Sequence, residues 1–533
     1  MSKKYVVFCL FFALLLNVSI GEPVAAQETD SRAQNPIIWA DVPDPSVIRV
    51  DDAYYMTSTT MHMNPGLPIM KSTDLVNWET IGYAYETLTD NDAMNLINGE
   101  NAYGEGSWAS TVRYHDEMFY ISTFSYTTNQ THIYKTNDIE DGVWTEFAFS
   151  PLYHDNSIFF EEDGGVYLVY GVGDIMLVEL ASDLSGPKPE GIEQVIIPDA
   201  GQIAGSEFIV PAEGAHIHKV DGMYYVFLIT WPRDRGRTQI VYRSDSLTGP
   251  YEGRVVLDDS GIAQGGIFDT PEGDWYAMLF QDHGAVGRIP HLIPVTWEDE
   301  WPVLGDNGQA PTELDISAAN KRTNGIMASD DFVYDGEDEL ALVWQWNHNP
   351  DGDYWSVTDR PGYLRLVNDR VDSDIHDTRN TLTQRTFGPE CSGEVALDTA
   401  NMKDGDYAGL AAFQNQYGFV GVKQSDSSRS VIMVDGSSGA PEEVESLPLK
   451  QDEVRLRIDF DFRDREDRAY FYYSLDGDNW SRIGDSLQMS YTLDHFMGYR
   501  FALFNYGTKT TGGFVDFEYF EVADEIAEVE REG

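Results

Sequence analysis

Cysteine is almost absent from this chain. Of 533 residues two are cysteines, and Cys9 lies in an apolar run near the N-terminus. If that run is removed, Cys391 has no cysteine partner, so no intrachain disulfide holds the fold. Basic residues are scarce as well. Lys and Arg number 35 against 90 Asp and Glu, a formal net charge of −55. That sign excludes nucleic acid, whose phosphates need a basic surface, and disfavours anionic lipid. Beyond the N-terminus no apolar run is long enough to cross a bilayer. The acids are scattered rather than blocked, which reads as a solvated surface whose self-repulsion salt would screen. A saline habitat fits such a surface.

The N-terminus reads as a secretory signal over residues 1–26. Lys3 and Lys4 supply the positive end, Val6 to Leu16 the apolar run, and Val24-Ala25-Ala26 the small residues for cleavage before Gln27. The expected location is outside the cytoplasm, extracellular or periplasmic.

Aromatics make up 13% of the chain and glycine occurs 47 times, which suits strands and turns. Five segments place an acidic turn just before a pair of large residues and an apolar strand. They are Asp51-Asp52-Ala53-Tyr54-Tyr55, His115-Asp116-Glu117-Met118-Phe119-Tyr120, Asp163-Gly164-Gly165-Val166-Tyr167, Asp221-Gly222-Met223-Tyr224-Tyr225 and Glu272-Gly273-Asp274-Trp275-Tyr276. Their last tyrosines are 65, 47, 58 and 51 residues apart. Each copy reads as a hairpin, and a four-stranded unit recurring at this spacing is the signature of a β-propeller. The fold class is therefore all-β: a five-bladed β-propeller over residues 36–305, a polar linker over 306–328, and a β-sandwich over 329–523. Alternating strands such as Glu453-Val454-Arg455-Leu456-Arg457-Ile458 carry the sandwich reading. The end, from Asp524 to Gly533, reads as an acidic tail.

Three acidic residues stand in motifs of their own. Asp44 sits in Pro43-Asp44-Pro45-Ser46, Asp155 in His154-Asp155-Asn156-Ser157, and Glu213 in Glu213-Gly214-Ala215-His216. Two carboxylates flanking one bond, with a third tuning them, are the equipment for cleaving a glycosidic bond. Together with Gly106-Ser107-Trp108-Ala109-Ser110, Gly287-Arg288 and Pro294-Val295-Thr296-Trp297, the motifs resemble those of glycoside hydrolase family 43. In the second half, Trp344-Gln345-Trp346-Asn347-His348-Asn349-Pro350 and Asn380-Thr381-Leu382-Thr383-Gln384-Arg385 resemble the concanavalin-like β-sandwich appended to β-xylosidases and arabinofuranosidases of that family.

The resemblance implies an active site at one end of the propeller axis. It assigns Asp44 as the general base that activates water, Glu213 as the general acid, and Asp155 as the carboxylate that tunes and orients the acid. Trp108 and Arg288 are implied in substrate binding, and Trp231, before Pro232, is placed to wall the pocket. No cofactor is required for the chemistry. A structural calcium is considered at Asp331 and Asp516, near the two ends of the sandwich sequence. A central metal ion is put in doubt by Gln264, which stands where many relatives have histidine, with His283 considered as compensation. The implied activity is inverting, exo-acting release of xylose or arabinofuranose from pentose-containing oligosaccharides or polysaccharides, with β-xylosidase favoured. α-L-Arabinofuranosidase and endo-arabinanase are the alternatives within the enzyme class. A non-catalytic carbohydrate-binding protein is the alternative outside it.

Overall fold

The computed structural model describes residues 32–318, 325–334, 336 and 339–527. The expected signal segment, residues 1–26, and the last six residues of the acidic tail lie outside the described residues. Among the described residues the helical elements are 3-10 turns of three or four residues, and everything else regular is strand. Among the described residues no helix is long and apolar enough to cross a membrane.

Five four-stranded antiparallel sheets follow one another along the first half. In the first, Ser46–Val50 pairs with Ala53–Thr57, which pairs with Gly66–Ser72 and then Glu79–Tyr85. The sheets opening with Thr111–His115, Ser157–Phe160, Phe208–Val220 and Ile267–Asp269 repeat this order. Each acidic turn of the sequence repeat joins the first strand of a blade to its second. Asp51, Asp116 and Asp221 there adopt left-handed backbone, with φ of 53°, 48° and 50°, a conformation that aspartate tolerates better than most residues. The aromatic that follows then packs between blades. Val169, Leu177, Ile217 and Val226 form one such buried layer, and Phe227, Val241, Leu279 and Ile293 form the next.

The N-terminal segment closes the ring against the last blade. Ile37 and Val42 donate backbone hydrogen bonds to Pro290 and Arg288, at 2.8 and 2.9 Å. Residues 306–318 and 325–328 are not a loose tether. Ala33 and Leu314 exchange backbone bonds with Ile316 and Ala33, and Leu314, Ile326 and Met327 are buried. Residues 319–324 of that stretch lie outside the described residues.

Two stacked sheets make the C-terminal domain. One runs from Gln345–Asn347 through Leu382–Arg385, Arg500–Gly507, Asp406–Phe413, Gly418–Ser425 and Ser428–Asp435 to Glu442–Leu449. The other is centred on Phe514–Ala523, Glu390–Asp398 and Glu453–Asp461. Along Glu453–Asp461, Val454, Leu456 and Ile458 face the core, the two-residue period expected of a sheet with one covered face.

The domains share a sheet. Met63–Asn64, a short strand inside the first blade, adds to the edge of the sandwich, with Asn64 opposite Trp346 and Met63 opposite Asn347. Gln345 donates to Thr60 Oγ1 at 2.9 Å and to the Pro65 carbonyl at 2.8 Å. Asn64 donates to Asn349 Oδ1 at 2.8 Å. The motif Trp344 to Pro350 is thus a docking strip, satisfying buried polar groups of the propeller that water cannot reach.

Candidate active site

Asp44 and Asp155 each lie two residues before the innermost strand of a blade, Ser46–Val50 and Ser157–Phe160. Both have left-handed backbone, with φ of 51° and 47°. Glu213 lies within the innermost strand Phe208–Val220, where the pairing register shifts between its partner Ile229 and the next pair His216–Phe227. A bulge there re-aims the side chain. Three blades therefore bring three carboxylates to one end of the ring.

Their environments differ. Asp44 is 5% exposed. Arg288 Nη1 donates to its two oxygens at 3.1 and 3.3 Å. Burial raises the Asp44 pKa above the ordinary carboxylate value, while the charges of Arg288 and Arg237 pull it down. Arg288 is itself anchored twice. Its backbone N–H donates to Asp41 Oδ1 at 2.7 Å, and its Nε lies 3.6 Å from Asp282.

Glu213 is half-buried, and His154 Nε2 donates to its Oε2 at 3.2 Å. The same nitrogen lies 3.7 Å from Asp155 Oδ2. Asp155 accepts the Gly214 N–H at 2.9 Å, which ties it to the strand that carries Glu213. Gly214 has φ of 66°, and a Cβ there would meet the Gln264 side chain at 2.9 Å, so glycine is required at this position. Burial, then the charges of Glu213 and Asp44, push Asp155 up to about 7 against the pull of His154 and the Gly214 N–H. Burial works to lower the His154 pKa, but the charges of Asp155, Glu213 and Asp44 outweigh it and raise it to about 9. The two carboxyl groups thus favour the charged form of the imidazole between them, and its Nδ1 lies 3.1 Å from the Tyr126 hydroxyl.

Aromatic walls complete the site. Trp108 leads into the second blade, stands edge-on to Tyr126 at 5.1 Å, and stacks on Phe496 of the sandwich at 5.0 Å and 23°. Trp231 is half-buried, with the Arg237 guanidinium 4.6 Å over its ring. Arg237 in turn bonds Asp282 at 2.6 Å. Trp231 therefore backs a guanidinium that faces Asp44.

The expected metal residues do not form a calcium site. Asp516 is held by Arg360 at 2.9 Å and by Arg365 at 2.8 Å, so its charge is already balanced. Asp331 is exposed and accepts the Val333 N–H of its own turn. His283 sits edge-on to Trp39 at 4.8 Å, where the propeller meets the sandwich. On the axis, Arg113 of the second blade donates to Ser157 Oγ of the third at 2.8 Å and to the Ile217 carbonyl of the fourth at 3.0 Å. The nearby nitrogens His216 Nδ1 and His218 Nε2 have no hydrogen-bond partner. The buried Arg113 guanidinium brings a positive charge beside these imidazoles, which works against a divalent cation at this place.

Comparison with known proteins gives the family of the chain. Residues 33–302 match the family described as glycosyl hydrolases family 43, and residues 329–523 match the beta xylosidase C-terminal concanavalin A-like domain. The chain belongs to glycoside hydrolase family 43. This family 43 enzyme is 29% identical over 546 residues to a beta-xylosidase of Formosa agariphila, covering 91% of this chain and 89% of that protein. It is 28% identical over 424 residues to a non-reducing end alpha-L-arabinofuranosidase of Bacteroides ovatus, covering 75% and 77%. A solved structure described as a bifunctional GH43-CE of Bacteroides eggerthii superposes with a TM-score of 0.92 at 55% identity. It covers 93% of this chain, which spans only 64% of that one.

Several participants in the family 43 site had no signal in the sequence. Phe496 comes from the other domain. Asp41, Asp282 and Arg237 are ordinary charged residues until the fold sets them behind Asp44 and Arg288. His154 was within reach, being adjacent to Asp155 in its motif.

Proposed function

We propose that the protein is an exo-acting, inverting hydrolase of pentosides, releasing xylose from β-xylosides, and that it is exported through a cleaved N-terminal signal. The observation that carries this reading is the contrast between Asp44 and Glu213. Burial raises the Asp44 pKa, but Arg288 donates to both of its oxygens and the charges of Arg288 and Arg237 oppose that rise, favouring the ionised form a general base needs. Glu213 is half-buried at the mouth, where a leaving group departs, and its contact is an imidazole that can return a proton to it. Inversion asks for such a pair on opposite faces of the sugar, roughly 6.5–9.5 Å apart, with water between.

In the reaction, Asp44 takes a proton from water as the water attacks the anomeric carbon. Glu213 gives its proton to the departing oxygen. Asp155 fixes the Gly214 amide and with it the geometry of Glu213. The Phe496–Trp108 stack closes one side of the site, which supports attack at a chain end rather than along an open groove. Arabinofuranose is the second reading, favoured by the name of the Bacteroides ovatus relative.

The test is a screen on aryl β-xyloside, aryl α-L-arabinofuranoside and xylobiose, with product sugars identified and the first-formed anomer read by proton NMR. Xylose of inverted configuration is expected. Retained configuration would overturn the mechanism, and turnover of no pentoside would overturn the reading.

A further inference from the structure

Next to Glu213 the enzyme exposes a patch of aliphatic side chains that its core does not use. The strand carrying Glu213 runs outward through Pro211 to Ile209, which is 50% exposed. Beside it, Gly173 donates its N–H to the Ala212 carbonyl at 2.8 Å, and a Cβ on Gly173 would lie 3.8 Å from the Pro211 ring. Val172, one residue earlier, is 45% exposed. The 3-10 turn Ala200–Ile203 joins the same surface, with the Ala200 N–H on the Gly173 carbonyl at 2.8 Å, and ends on Ile203 at 39% exposure. Three segments hydrogen-bonded to one another thus carry four exposed apolar residues, Val172, Ile203, Ile209 and Pro211, here called the ridge. The ridge begins at the catalytic cluster, because Gly171 donates to the carbonyl of His154 at 3.0 Å.

Resting on the functional reading above, we propose that this ridge is the platform for the leaving group, taking the C–H face of a neutral pyranose next to the scissile bond. The reasoning is directional. The general acid must reach the glycosidic oxygen, so the departing ring lies on the outer side of Glu213. Inward from Glu213 the strand continues into buried His216 and Ile217. Outward, the surface is this ridge. Aliphatic side chains offer an apolar contact to a sugar ring but no hydrogen bond, so the ridge discriminates by the apolar face of the leaving group.

The test compares the full-length enzyme with Ile209→Ser and Val172→Ser, separately and together, on pentosides that differ only in leaving group: methyl, xylosyl and xylotriosyl. The expected result is an unchanged kcat/KM for the methyl pentoside and a loss of roughly tenfold, mostly in KM, for the xylosyl and xylotriosyl leaving groups. Inhibition by free pentose, which reads the other side of the bond, should not change. Equal losses on all three substrates, or no loss on any, would overturn the platform. So would unchanged kinetics with a change of oligomeric state in gel filtration, which would make the ridge an interface between copies. A wild-type enzyme that cleaves none of the three overturns the functional reading, and the platform with it.

Discussion

Phe496 of the sandwich lies on Trp108 of the propeller with ring centres 5.0 Å apart, and its ring is also 4.5 Å from the Arg288 guanidinium. The segment around it is wired to the same arginine. Gly498 donates to Asp41 Oδ2 at 3.0 Å, and Asp41 Oδ1 holds the Arg288 amide. Tyr499 donates to the Ala285 carbonyl at 2.9 Å. One loop of the second domain therefore supports the residue that pairs with Asp44.

Removing the sandwich should impair chemistry as well as folding. Truncation after residue 305 also strips the partner strand from Met63–Asn64, so a poorly folded propeller is expected. Phe496→Ala isolates the local effect. It should lower kcat/KM on xylobiose while leaving the melting temperature within a few degrees, because one cation–π contact is worth about 0.5–2 kcal/mol. Steady-state kinetics beside a thermal melt would separate the two. A truncated protein of full stability and unchanged rate would show the sandwich to be dispensable.

The carboxylates should separate by leaving group. Asp44→Asn should abolish turnover of every substrate, since water must be activated whatever departs. Glu213→Gln should be severe on xylobiose, by about 10²–10⁴-fold, and much milder on an aryl glycoside with an acidic phenol. Equal losses on both substrates would contradict Glu213 as the acid.

His154 should titrate far above an ordinary histidine, near 9, because Asp155 and Glu213 favour its charged form. Its folded-state pKa exceeds the unfolded value of about 6.5. The stability it contributes is therefore complete below that value and lost as pH rises through about 9. Asp155→Asn removes the largest charge that raises it, so the His154 value should fall. Imidazole NMR titration, with the signal assigned through His154→Gln, gives the answer directly. An unmoved His154 resonance in Asp155→Asn would disprove the link.

A second histidine group should weaken the protein in acid. His62, His348 and His495 are buried where the domains meet, with His62 4.6 Å from His348 and 5.1 Å from His495. Burial and mutual charge hold their pKa values well below normal. Here the unfolded chain binds the extra protons, so stability is full above about pH 6.5 and falls below it. Each such group contributes a slope of up to about 1.4 kcal/mol per pH unit. Denaturant melts between pH 7 and 5 should show the fall, and His62→Gln should flatten it. An equal slope in the variant would remove the cluster from the account.

Salt should stabilise the molecule. The net charge of −55 leaves most acids without a basic partner, and screening weakens their repulsion. A higher melting temperature in molar sodium chloride than in dilute buffer is expected. A flat or falling trend would count against it.

The repeat and the three acid motifs were legible because their physics is local. An acidic turn with left-handed backbone followed by an aromatic strand depends on a handful of neighbouring residues. Asp44 and Asp155 stand immediately before innermost strands for the same reason. Trp108 and Arg288 were also visible as motif members at strand starts. The pairing of Asp516 with Arg360 and Arg365 was not legible, because counting acids says nothing about which arginines will meet them.

By itself, the sequence determined the propeller frame and the sandwich strands, since turn chemistry and strand periodicity act over a few residues, and it singled out the three acid motifs. Tertiary structure alone decided how the two domains join and what surrounds the carboxylates. Met63–Asn64 reads as a scrap of the first blade until the edge near Trp346 pairs it. Phe496 and Gly498 reach Arg288 and Asp41 across more than two hundred residues of chain. Such contacts depend on which surfaces meet when two cores bury their remaining apolar and polar groups together, and no local pattern encodes that choice.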